Sequence, residues 1–278
     1  MIRVKQIFLI IFLSVHVIFQ NNIIAESAQQ CQKPFNCIKP QKVQGFFRKL
    51  INDSGEIIKE VPTFRTMKIV SGFVPLFLIG KRVDPLIHEH FYDARLHKNK
   101  NKPPKALTFL LEDPVMAIPF SIYGLYSWCN TDTEKRREAQ LFVTGLGLTW
   151  LSKVMLKQVK YDAGLRPWHE KHSSVRRAHG GNPSGHASMS TYLATYVWCV
   201  KGPWYGVPAA LYASLIASLS ITDNHHYTSQ VVAGAGLGLI MGMATYTVLK
   251  KVRISENFQL DLATDCKGAI GVQLAYDF

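Results

Sequence analysis

At 278 residues, the chain suits one domain with short appendages. Hydrophobic residues make up 47% and charged residues 18%, which is too apolar for a typical soluble enzyme and too polar for a transporter built only of spans. The net charge of +13 has no nucleic-acid-binding module to explain it. It points to an anionic membrane surface, a phosphate substrate, or cytoplasmic-loop lysines and arginines obeying the positive-inside rule.

Arg3 and Lys5 precede an apolar run over 7–19, followed by Ala25-Glu26-Ser27. This order describes a secretory signal over 1–27, cut after Ser27, or an uncleaved anchor. Either way residues 28–66 are exported. Five cysteines do not make a disulfide scaffold; Cys31 and Cys37 could pair in an oxidising periplasm, and Cys266 is unassigned. No spacing suggests a metal site, and no cofactor is expected.

Residues 28–66 are mixed and polar. The apolar stretch within 68–80 is short for a bilayer crossing and reads as an interfacial helix, inside an exported segment over 28–105. Residues 81–105 are charged and loop-like, and His88 and His90 lack the i,i+4 spacing of a helical metal pair. Five longer apolar segments follow, at 106–129, 139–158, 186–200, 204–222 and 230–249, several near the roughly 20 residues that span hydrocarbon. Glu112-Asp113-Pro114 interrupts the first and Lys153 the second. Small residues at Gly145, Gly147, Ala194, Gly234, Gly236 and Gly238 permit close helix contacts. The expected fold is therefore all-α: a membrane-embedded bundle of about five to six helices over 106–253.

Loop charges orient that bundle. With alternating spans, Lys135-Arg136-Arg137, Lys201 and Lys250-Lys251-Arg253 fall on one side, the cytoplasmic one. Loops 159–185 and 223–229 then share the periplasmic side. Residues 254–278 change to alternating periodicity, a β-hairpin tail with a turn near Asp265-Cys266-Lys267-Gly268. The terminal Phe278 also resembles the last strand of outer-membrane barrels, although one hairpin cannot close a barrel. The expected location is the inner membrane of a bacterial envelope, with outer-membrane association as the alternative.

Both periplasmic loops carry chemistry. In the first, Lys157 and Lys160 near a helix end are followed by Arg166-Pro167. Arginine offers a planar fork to phosphate oxygens and lysine a point charge. Gly180-Gly181-Asn182-Pro183-Ser184-Gly185-His186 then opens an apolar helix, whose free N–H groups form an anion site. Gly185 lets an oxyanion approach the backbone, Ser184 adds a hydroxyl, and His186 can give a proton to a leaving oxygen. In the second loop His226 and Gln230 are i,i+4, so an imidazole that can attack phosphorus stands one turn from a side chain able to hold its other nitrogen.

Together these three stretches resemble the signature motifs of the type-2 phosphatidic acid phosphatase superfamily, which includes vanadium haloperoxidases and bacterial acid phosphatases. The family pattern is Lys, six residues, Arg-Pro; then Pro-Ser-Gly-His; then Ser-Arg, five residues, His, three residues, Asp. Pro183-Ser184-Gly185-His186 matches fully, and His226 with Val231-Val232-Ala233-Gly234 keeps the third frame. The departures are specific. Eight residues separate Lys157 from Arg166 and five separate Lys160 from it. Leu219-Ser220 stands where Ser-Arg is expected, and Gln230 where the aspartate is expected.

The resemblance implies a metal-independent phosphatase acting on a lipid phosphate or pyrophosphate (a phospholipid, a polyprenyl pyrophosphate or lipid A) through a phosphohistidine. His226 would be the nucleophile and His186 the general acid and base. Lys157 or Lys160, Arg166, Ser184 and Gly185 would hold the phosphate. Arg176 or Arg177 could supply the missing cation and Asp223 the missing carboxylate. Without such compensation the chain would be a phosphate-lipid binder or envelope scaffold. Its expected partners are the membrane and a lipid substrate, with no nucleic acid.

Overall fold

The computed structural model describes residues 40–93, 98–100, 103–160, 162–167, 179–264 and 270–276. The signal or anchor over 1–27, the cysteines at 31, 37 and 266, Arg176, Arg177 and Phe278 lie outside them. The chain divides into two units, residues 1–48 and 49–278. Of the first, the described part is the beginning of helix α1 (Pro40–Glu60).

In the second unit α1 ends and a 28-residue helix follows, α2 (Phe64–Phe91), then a two-residue antiparallel ladder of β1 (Tyr92–Asp93) and β2 (Lys98–Asn99). A short helical stretch over 105–111 precedes α3 (Asp113–Trp128). Then come α4 (Thr133–Leu156), α5 (Gly185–Lys201), α6 (Pro203–Thr222) and α7 (Thr228–Asn257). The backbone closes with β3 (Phe258–Thr264) and β4 (Ile270–Tyr276), paired antiparallel. Thr133–Leu156, Pro203–Thr222 and Thr228–Arg253 are long and apolar enough to cross a membrane. Two further candidates are bent pairs, 48–60 with 64–91 and 105–111 with 115–128, bent by 61° and 56°.

Two expectations change. The charged stretch after residue 80 is helical rather than loop-like as far as Phe91. Lys81, Arg82, Pro85 and Leu86 face outward, while Asp84 turns inward, so tertiary hydrogen bonds hold a helix that local composition does not announce. The segment at 106–129 is broken at Glu112, where Asp113 and Pro114 restart a helix as α3, because proline at a first turn costs no hydrogen bond but forbids continuation from the preceding turn.

The core forms around α5. Tyr192 and Tyr196 are wholly buried and donate their hydroxyls to the carbonyls of Phe142 and Glu138 on α4. Facing α5, α7 presents Gly234, Gly238 and Gly242 at successive i,i+4 positions. A Cβ on Gly234 would stand 2.5 Å from the Ser184 carbonyl oxygen, and one on Gly242 would stand 2.8 Å from the Cβ of Thr195. Backbone contact this close needs hydrogen at the α-carbon. Gly236, on the next face, receives Phe73 of α2.

One end of the bundle gathers the cationic clusters. Arg137, inside the first turns of α4 rather than in a loop, makes two hydrogen bonds of 2.6 and 2.7 Å to Asp53. Buried Glu138 takes Lys201 at 3.0 Å, Arg253 at 3.5 Å and the Tyr123 hydroxyl at 2.7 Å. The other end receives the C-terminus of α4, the N-termini of α5 and α7, and the two loops read as chemical.

Candidate functional site

The cradle is built where α5 begins. A cis Asn182–Pro183 peptide leads into Ser184, whose hydroxyl accepts from the Ala187 N–H and caps the helix. Ser184 is fully buried, and its own N–H donates to the Gln230 carbonyl at 2.9 Å. That bond ties the first turn of α5 directly to the first turn of α7. Gly180, at φ +85°, turns the chain in, and Gly181 donates to the Gly164 carbonyl at 2.8 Å, bringing the Arg166 loop alongside.

His186, on the first turn of α5, and His226, in the loop before α7, meet edge to face, ring centres 5.9 Å apart and planes at 70°. His186 donates from Nε2 to the Leu111 carbonyl at 3.1 Å, so its neutral ring carries an unprotonated Nδ1. That atom is buried and makes no hydrogen bond among the described residues. His226 is buried, its N–H bonded to the Ser220 carbonyl at 3.0 Å. Its Nδ1 lies 3.4 Å from Gln230 Oε1.

Gln230 is oriented by its neighbours. Its amide nitrogen donates to the Leu165 carbonyl, which turns Oε1 toward the Tyr227 N–H at 3.2 Å and toward His226. An oxygen there accepts, so His226 carries its proton on Nδ1 and leaves the Nε2 lone pair available. The amide thus fixes the tautomer that a carboxylate at this position would fix.

The cations are sorted by the fold. Lys157 caps the C-terminus of α4 beside Gly180, its Cβ 3.8 Å from where a Gly180 Cβ would be. Arg166 donates to the carbonyls of His225 at 3.3 Å and Gly180 at 3.4 Å. Burial, then the charges of Lys157 and Arg166, hold His226 well below the ordinary histidine range. Burial, then Arg166 and Lys153, push the Lys157 ammonium down to about 7, against the pull of Asp113. Lys160 is exposed, three residues past Lys157. Asp223, expected as a substitute carboxylate for His226, pairs with Nε2 of His225 at 3.0 Å.

Several site residues were not read from sequence. Lys153 looked like a flaw in an apolar segment, yet it lies against the cradle: a Cβ on Gly185 would be 3.2 Å from its Nζ. The available signal was its i,i+4 relation to Lys157, together with the cost of a charge inside a span. Asp84 of α2 accepts from the Ser229 N–H at 3.1 Å and from its hydroxyl at 2.5 Å, capping α7 from another helix. One turn on, His88 Nδ1 lies 3.1 Å from Asn224 Oδ1, bracing a residue at φ 58°. Gly80 makes this docking possible, since a Cβ there would stand 2.9 Å from Ser229 Cα.

Replacing Asp84 by Ala strands a buried N–H and a buried hydroxyl and removes a negative charge from a helix N-terminus, costing about 2–4 kcal/mol. Thermal unfolding in detergent would show this as a lowered midpoint, with Asp84→Asn losing less because it retains an acceptor.

Among the described residues, no group of three or more histidine, cysteine or acidic side chains is placed to hold a metal. Residues 138–254 match the family model described as PAP2 superfamily. The chain is also 28% identical over 158 residues to the lipid A 1-phosphatase of Porphyromonas gingivalis, an alignment covering 51% of this chain and 36% of that protein. The chain thus spans little more than a third of the curated relative it matches. No solved structure matches.

Proposed function

The chain belongs to the PAP2 superfamily through residues 138–254, and we propose that it removes phosphate from a lipid phosphate or pyrophosphate at the periplasmic face of the inner membrane, through a phosphohistidine. The supporting observation is the opposed pair of imidazoles, 5.9 Å apart, with one ring's tautomer held by Gln230 and the other's by the Leu111 carbonyl. The relative's printed name, lipid A 1-phosphatase, and the apolar helices place lipid A-type phosphates among the first substrates to test.

In this scheme Nε2 of His226 attacks phosphorus in line. The bond from phosphorus to the leaving oxygen breaks, its electron pair stays on that oxygen, and the proton it takes up is brought by the monoanionic phosphate and relayed through the bare Nδ1 of His186. Water then attacks the phosphohistidine, giving its proton to the same nitrogen, and inorganic phosphate departs. Lys157, Arg166, the Ser184 hydroxyl and the backbone around Gly185 balance the charge on the equatorial oxygens. The catalysis is positioning and electrostatics throughout.

The test is phosphate release by the detergent-purified chain from a glycolipid 1-phosphate, a polyprenyl diphosphate and phosphatidic acid. Release from at least one, with an acid-labile phosphoprotein trapped on quenching, is expected. No release from any of the three would leave a phosphate-lipid binder or scaffold.

The same assay carries a pH prediction. Lys157 must be protonated to attract phosphate, and in the free enzyme it loses its proton as pH rises through about 7. The kcat/KM value, which reports the free enzyme, should fall about tenfold per pH unit above that point. Lys157→Arg, protonated across the whole range, should remove this limb and leave a flat profile to about pH 9. An unchanged limb would assign it to another group.

A further inference from the structure

We propose that Lys153 binds the anionic leaving half of the substrate and so selects lipid diphosphates over lipid monophosphates, an inference that rests on the phosphatase reading above. The geometry begins at Gly185. The Lys153 side chain lies against Gly185, with Nζ and Cδ each 3.2 Å from where a Cβ there would stand, so a side chain at that position would press on the ammonium. The glycine therefore admits a cation to the cradle as well as an oxyanion. A lysine in an apolar helix near the bilayer is costly and marks function rather than packing.

Direction follows from the in-line requirement. The nucleophile and the leaving oxygen lie on opposite sides of phosphorus, so the leaving group departs on the His186 side. Arg166 holds the carbonyls of His225, next to His226, and of Gly180, and Lys157 stands beside Gly180, whereas Lys153 stands against Gly185, the residue before His186. The two lysines, one helical turn apart on α4, thus serve different ends of the reacting bond.

Leaving-group chemistry then discriminates. A phosphate monoester leaves as an alcohol, neutral once His186 has relayed a proton, and offers a further cation nothing. A diphosphate monoester is cleaved between its terminal phosphorus and the bridging oxygen. The bond to His226 forms at that phosphorus, the bridging oxygen keeps the electron pair and takes the proton relayed by His186, and a lipid monophosphate departs with anionic oxygens beside Lys153. Water discharges His226 to give inorganic phosphate. A cation placed there strengthens its contact as charge moves onto the leaving phosphate, which favours the transition state over the bound substrate.

The experiment compares wild type, Lys153→Met and Lys153→Arg on farnesyl diphosphate and farnesyl monophosphate in the same micelles. In Lys153→Met, kcat/KM on the diphosphate should fall about 10²–10³-fold, the size of losing one oxyanion partner. The monophosphate value should fall less than about tenfold. Lys153→Arg should restore most of the diphosphate rate. Equal losses on the two substrates would place Lys153 on the transferred phosphate and overturn the proposal while leaving the phosphatase reading intact. A wild type inactive on both would sink that reading instead. A binding arm remains decisive in that case. Methylenediphosphonate should protect the wild type against thermal unfolding at least tenfold more tightly than orthophosphate does, and Lys153→Met should abolish that preference. An unchanged ratio would refute the assignment.

Discussion

Replacing His226 by Gln should reduce phosphate release by about 10⁴-fold or more and abolish the acid-labile phosphoprotein, since losses of this order follow removal of a nucleophile from a site whose members act as a unit. The ring is buried, its Nδ1 faces Gln230, and the His186 ring lies 5.9 Å away, centre to centre. Glutamine keeps much of the volume and a polar end, so the unfolding midpoint should move little. Burial and the nearby cations hold His226 well below the ordinary histidine range, so the ring stays neutral, and nucleophilic, into mildly acidic solution. Loss of activity on the acid side of neutrality therefore belongs to another group. A His226→Gln protein that still forms a phosphoenzyme would show that the nucleophile lies elsewhere.

The second large effect concerns Gln230, where the family pattern expects aspartate. Restoring the carboxylate with Gln230→Asp should lower the rate, by about 10²-fold. The wild-type amide donates to the Leu165 carbonyl and accepts from the Tyr227 N–H, two demands that only an amide meets together. Aspartate has no donor and is one methylene shorter. It strands the Leu165 carbonyl at about 1–3 kcal/mol and draws away from Gly181, which now packs against the amide with a Cβ position 2.6 Å from Oε1. The added charge also favours the imidazolium form of His226. Its pKa rises, and below that raised value the ring is protonated and cannot attack. The variant should accordingly gain a limb on which activity falls as pH drops, a limb the wild type lacks. A tenfold increase in rate would show instead that glutamine impairs the natural site.

The two variants separate what was legible in the sequence from what was not. Apolar runs of roughly span length, with charges between them, locate α4 to α7 closely, because in a lipid environment hydropathy and backbone satisfaction leave a chain few alternatives. The Ser184–His186 turn was equally plain, since a small residue, a capping hydroxyl and a histidine at a helix start leave little else to build. That α7 packs closely on a neighbour was readable from its small residues, Gly234 and Gly238 among them, but not that Ser184 is what it meets. By contrast, the sequence offered two candidate lysines before Arg166 and treated Lys153 as a blemish. Spacing through an irregular loop does not tell which ammonium faces inward, whereas a helix end does. Glu112-Asp113-Pro114 was visible as an interruption, but that Asp113 then lies close enough to Lys153 and Lys157 to act on their charges required the fold.

By itself, then, the sequence determined an all-α bundle, and it named the two histidines that the structure brings together at one end. Local periodicity and the exclusion of unpaired backbone from lipid are properties of segments, and segments can be read one at a time. Tertiary structure alone decided which face of Gln230 meets His226, that α2 continues to Phe91 so that Asp84 can cap α7, and that Lys153 rather than Lys160 lies against the cradle. Each of these depends on a hydrogen bond or a close contact between residues far apart in the chain, where direction matters and periodicity carries no information.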